Sequence, residues 1–133
     1  MEKNIEKFLS ALSEAAQPLV YRSETDAPVT VFTVDSTSDE ETTDTIGTLA
    51  GGAVPLSSQD AAQLIERLTS KMDYFVERQI KMAEQYAKLF DLLRTNLSDL
   101  KLYRAGSVNV QIFVVGRFDE RTVAGIRTNA VET

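Results

Sequence analysis

Among its 133 residues the chain has no cysteine, no histidine and no tryptophan. Without cysteine there is no disulfide, no thiol nucleophile and no haem attachment; without cysteine and histidine there is no zinc site of the usual kind. The missing histidine also removes the Ser-His-Asp triad. Long apolar runs are absent too: no stretch approaches the ~18 residues of a membrane span. The N-terminus, MEKNIEKFLSALSEAA, carries three glutamates and lacks the apolar run of a secretory signal. The expectation is a cytoplasmic protein with no membrane partner. What chemistry remains is that of carboxylates, hydroxyls and lysines, or binding.

What is present is an ordinary globular composition. Hydrophobic residues make up 43% of the chain, too many for a disordered one. The length suits a single domain over residues 1–133, able to bury roughly two thirds of its unfolded surface without staples. Twenty acidic residues against 14 basic ones give a net charge of −6. That balance argues against nucleic acid as a partner, because duplex binders neutralise phosphates with Lys and Arg. The distribution says more than the total. Between Arg22 and Arg67 there is no basic residue, while Glu24, Asp26, Asp35, Asp39, Glu40, Glu41, Asp44, Asp60 and Glu66 all fall there. A one-sided acidic surface is a solvated face, a divalent metal site, or a charge presented to a basic partner.

Hydrophobic periodicity predicts the elements. Ile5, Phe8, Leu9, Leu12, Ala15 and Ala16 recur at helical spacing, and Pro18 ends that helix. LVYRSETDAP reads as a short connection to a β-branched strand over 29–34. From Asp35 to Pro55 the sequence turns to Asp, Thr, Ser and Gly with little periodicity. It reads as a long loop or as two strand fragments, the second anchored by Ile46, Leu49 and Val54. Ser57 or Ser58 is a candidate N-cap for a helix from Asp60 to about Leu68, with Leu64, Ile65 and Leu68 buried. A long helix follows over Asp73–Leu97. One face carries Val76, Ile80, Ala83, Ala87, Phe90, Leu93 and Leu97, widened by Tyr86 and Leu89. Glu77 with Lys81 and Glu84 with Lys88 are at the i,i+4 spacing of ion pairs. The strand at 108–115 is apolar on one face and half apolar on the other, as a central strand would be. Gly116–Arg121 is a hairpin connection, and 123–128 the returning strand. The last residues, Asn-Ala-Val-Glu-Thr, lack the character of a frayed tail. Together these give an α+β fold with a mostly antiparallel sheet of about four strands flanked by helices.

Familiar site patterns fail on inspection. A calcium loop starting at Asp35 would need Gly at its sixth position and Glu at its twelfth, and has Glu40 and Ile46. The glycines at 47, 51 and 52 are not followed by the Lys-Ser or Lys-Thr of a phosphate-binding loop. Carboxylates are plentiful, but no spacing selects an acid and a base.

Three segments carry a resemblance. They are Leu19-Val-Tyr-Arg-Ser-Glu-Thr-Asp-Ala-Pro28 before the strand with Phe32, Tyr103-Arg-Ala-Gly106 leading to Val110-Gln-Ile-Phe-Val-Val-Gly116, and Val123-Ala-Gly-Ile126 followed by Thr128 and the final Val131-Glu-Thr133. In this order and spacing the chain resembles the nuclease A inhibitor family over roughly residues 5–34 and 73–133; the acidic middle, 35–68, diverges. The resemblance implies a single-domain α/β/α sandwich. It also implies a non-enzymatic inhibitor that binds a metal-dependent, sugar-non-specific ββα-metal nuclease one to one, with no cofactor of its own. On the same basis Thr133 would reach the nuclease's divalent metal within the complex only. Glu24 would lie where the scissile phosphate lies, and Asp73 with Tyr74 would make a second contact. The family pattern has tryptophan where Tyr74 stands. Read from the residues alone, Glu24 is a solvated loop acid and Thr133 a frayed end. An acidic interaction module of the same fold, with a different basic partner, is the alternative function.

Overall fold

The computed structural model describes residues 4–22, 26–52, 56–71, 76–106 and 108–131. Its first element, helix α1 (Ile5–Ala16), begins where the Asn4 side chain accepts the Lys7 N–H at 3.2 Å. It stops just before Pro18 and buries Phe8, Leu12 and Ala16. The segment expected as a plain connection is a small hairpin instead. Strands β1 (Val20–Arg22) and β2 (Asp26–Pro28) pair antiparallel, Val20 opposite Pro28 and Arg22 opposite Asp26. Strand β3 (Thr30–Asp35) follows, built from the β-branched run the sequence predicts.

The acidic segment differs most from expectation. Asp39–Leu49 is a helix, α2, not a loop or a strand. Ser38 caps it, its Oγ accepting the Glu41 N–H at 3.1 Å, and Asp39, Glu40 and Glu41 sit in its first turn, where negative charge complements the helix dipole. Four threonines lower its intrinsic propensity. Their hydroxyls return to the helix: Thr42, Thr43, Thr45 and Thr48 each donate to the carbonyl four residues earlier, at 2.9–3.1 Å. Gly51 and Gly52, both at positive φ, end it. Of the proposed second-strand anchors, Ile46 faces the core, Leu49 is exposed, and Val54 lies outside the described residues.

Ser57 and Ser58 do not cap a helix. They belong to strand β4 (Leu56–Asp60), paired with β5 (Ser98–Ala105). Helix α3 (Ala62–Thr69) begins after it, where Asp60 Oδ1 accepts the Ala62 N–H at 2.7 Å. Helix α4 (Glu77–Asn96) starts at Val76, whose N–H is held by Gln79 Oε1 at 2.9 Å. Val76 is therefore an exposed cap and not part of the buried face. That face centres on Ala83, Tyr86, Leu89, Phe90 and Leu93. Glu84 pairs with Lys71 at 3.1 Å, across the α3–α4 connection, and not with Lys88.

Strands β5, β6 (Asn109–Asp119) and β7 (Thr122–Val131) complete the sheet. Among the described residues it has five antiparallel strands in the order β3-β7-β6-β5-β4, one more than expected. The strand expected at 108–115 is central, as its two apolar faces predict, and begins at Asn109, with Val108 exposed ahead of it. Its hairpin to β7 is tighter than the expected six-residue connection, since β6 runs on to Asp119 and only 120–121 turn.

Alternate residues face two layers. On one side Val110, Ile112, Val114, Ala124 and Ile126 pack against Phe8 and Leu12 of α1 and Leu89, Phe90 and Leu93 of α4. On the other, Tyr103, Phe113, Val115 and Val123 meet Ile46 and Ala50 of α2. The result is the expected α+β, α/β/α sandwich, with α1, α3 and α4 on one face and α2 alone on the other.

Glycine sets two close approaches. A Cβ at Gly125 would stand 1.8 Å from the Val114 carbonyl oxygen, and one at Gly106, where φ is +105°, 2.2 Å from the Asn109 carbonyl oxygen. The Ala-Gly-Ile and Tyr-Arg-Ala-Gly motifs thus contain residues that the sheet requires for space.

Candidate partner-binding site

All four residues singled out from the resemblance lie outside the described residues: Glu24 between β1 and β2, Asp73 and Tyr74 between α3 and α4, and Thr133 beyond β7. The elements that lead into and out of these segments are described, and they meet at one end of the sheet. β3 runs antiparallel to β7, from Thr30 opposite Arg127 to Asp35 opposite Thr122. The start of β3 and the finish of β7 therefore share an end. The β1–β2 hairpin precedes β3 there, and Thr128 Oγ1 of β7 donates to the Pro28 carbonyl at 2.9 Å. β7 continues to Val131, opposite Asn109.

Helices α3 and α4 are tied to the same hairpin. The Tyr86 hydroxyl donates to the Val20 carbonyl at 2.8 Å. The Arg67 guanidinium donates to the Tyr21 hydroxyl and lies 5.7 Å from the centre of its ring. Desolvation pushes the Tyr86 phenol well above its ordinary value, and Tyr21 beside it adds to the rise. Both tyrosines are buried. They form the wall of a hollow of about 330 Å³ bounded by Tyr21, Arg67, Ser70, Arg78, Met82 and Tyr86. Sequence reasoning did not assign Arg67 or Arg78 to a site. The one available signal was that Arg67 closes the long stretch without a basic residue.

The acidic segment does not gather at this end. Ser36 N–H donates to the Arg121 carbonyl at the β6–β7 turn, so Asp35 and the first turn of α2 lie at the opposite end, next to Asp119 and Glu120. The ten residues of β7 span the two ends, about 30 Å. That exceeds the ~8–10 Å screening length at physiological salt, so these acids are not a local field at the hairpin end. Only Asp26 of the described acids is on the hairpin itself. Lys101 of β5 pairs with Asp39 at 3.5 Å. Among the described residues no three His, Cys, Asp or Glu side chains assemble as a metal-holding group. No described helix is long and apolar enough to cross a membrane.

The family model described as nuclease A inhibitor-like protein matches residues 6–133. The chain belongs to the nuclease A inhibitor-like family. The match runs through residues 35–68 as well, the stretch that the sequence motifs leave out. No curated protein matches the chain.

Proposed function

We propose that this chain is a non-catalytic protein inhibitor of a metal-dependent, sugar-non-specific endonuclease, binding it one to one and blocking its active site. The observation that carries the reading is membership of the nuclease A inhibitor-like family over nearly the whole chain. Glu24 then takes the position of the scissile phosphate, offering a carboxylate to arginines that would clamp phosphate. Thr133 offers hard oxygen atoms, a hydroxyl and a terminal carboxylate, to the nuclease's divalent metal. Asp73 and Tyr74 make a second contact, with tyrosine supplying an aromatic anchor in place of tryptophan. The described frame supports the reading because the strands and helices that lead into all three segments converge on one end of the sheet.

The test is a titration of a purified ββα-metal nuclease with the chain, followed by DNA hydrolysis. Glu24→Gln keeps the shape and removes the charge. Deleting Thr133 removes the terminal oxygen donors from their position. Each is expected to raise the inhibition constant about 10- to 100-fold, the worth of a charged hydrogen bond or metal contact. Unchanged inhibition by both variants refutes the mechanism while leaving inhibition itself standing. No inhibition by the parent, with capture of a different basic protein, favours the interaction module.

A further inference from the structure

The hollow beside the hairpin has a chemistry that folding does not account for. Its floor is apolar and aromatic, formed by Tyr21, Leu68, Met82 and Tyr86. Two cations stand at its margin. Arg67 is engaged by the Tyr21 hydroxyl and ring. Arg78, exposed on the first turn of α4, has no ion-pair partner among the described residues. Neither arginine is neutralised by a described carboxylate, in a chain whose net charge is −6. A volume of about 330 Å³ is that of a small-ligand pocket, for which apolar walls with a few directed polar groups are the usual lining. An arginine fork binds carboxylate or phosphate-like oxygens in pairs, and a ring on the floor would lie against the tyrosines.

We propose that this pocket binds a small planar organic anion, an aromatic ring carrying one carboxylate, sulfonate or phosphate group, with Arg67 and Arg78 on the anionic group and Tyr21, Met82 and Tyr86 against the ring. The residues invoked for the pocket are all described and its occupancy is read without a nuclease, so it stands or fails separately from the inhibitory reading.

The test uses the full chain and 8-anilinonaphthalene-1-sulfonate, whose fluorescence rises in an apolar site. Binding is expected to saturate at one probe per chain under native conditions. Arg78→Met, an exposed change, is expected to weaken it about tenfold. Arg67→Met should weaken it at least as much, with circular dichroism confirming that each variant is folded. Arg121→Met, in the β6–β7 turn, should leave it unchanged. Competition then identifies the source of the anion. Displacement by 1-naphthoate points to an aromatic carboxylate, and displacement by adenosine 5′-monophosphate to a nucleotide. Overturning results are the absence of one-to-one saturation, parental binding by folded Arg67→Met and Arg78→Met, or displacement by neither competitor.

Discussion

Replacing Gly125 by alanine tests whether the family-like Ala-Gly-Ile segment serves the sheet. The added Cβ would meet Val114 O at 1.8 Å, Val114 C at 2.8 Å and Val115 Cα at 2.9 Å. All three are backbone atoms of β6, the central strand, so no side chain can rotate away. The two strands must separate, and their ladder from Asn109–Val131 to Asp119–Thr122 is the longest in the sheet. Alanine would gain about 0.5–1 kcal/mol from a less flexible unfolded chain, since Gly125 is not among the residues at positive φ. Overpacking in a well-packed core costs typically 1–3 kcal/mol, and rigid backbone contacts lie at or beyond the top of that range. The net loss expected is about 3 kcal/mol, or a fall in melting temperature of roughly 10 °C for a chain of this size. Urea unfolding followed by circular dichroism measures it, with an unchanged m-value expected. A loss below about 1 kcal/mol would refute the close-approach argument.

Two further outcomes follow from the packing. Ile46 is fully buried and Leu49 is 38% exposed, so Ile46→Ala should cost about 3 kcal/mol and Leu49→Ala less than about 1 kcal/mol in the same urea assay; equal costs would contradict the helix at 39–49. Tyr86 carries a phenol whose folded-state affinity for its proton is raised above the ordinary 10.0. The unfolded chain loses that proton first as pH rises past 10, so stability from this group is complete below pH 10 and declines above it by about 1.4 kcal/mol per unit. Tyr86→Phe, which gives up the hydrogen bond to Val20 at a cost of about 1 kcal/mol, should show a correspondingly shallower alkaline loss. Parallel alkaline unfolding profiles for the parent and Tyr86→Phe would contradict this.

The first helix, the central strand and the long helix were legible because each announces itself locally. Phe8, Leu12 and Ala16 repeat at helical spacing, and Val110, Ile112 and Val114 alternate beside a second apolar face. The α2 helix was not legible. Its threonines compete with helical backbone bonding in a short peptide, and only the Ser38 cap with burial of Ile46 and Ala50 against the sheet tips the balance. β4 was hidden for a related reason, since Leu-Ser-Ser-Gln-Asp has little pattern and becomes a strand by pairing with β5. Arg67 and Arg78 show the same limit for the pocket. Eleven residues apart in sequence, they come to one hollow only through the packing of α3, α4 and the hairpin.

By itself, then, the sequence determined the first and the long helix, the centre of the sheet, the missing thiol and imidazole chemistry, and the family to which its motifs point. Tertiary structure alone decided where the charge lies. It carried the first acids of α2 to one end of the sheet and the hairpin, the finish of α3, the start of α4 and the finish of β7 to the other. The physical reason is that strand register and helix packing fix which distant residues share an end, and neither is a property of any local stretch of chain.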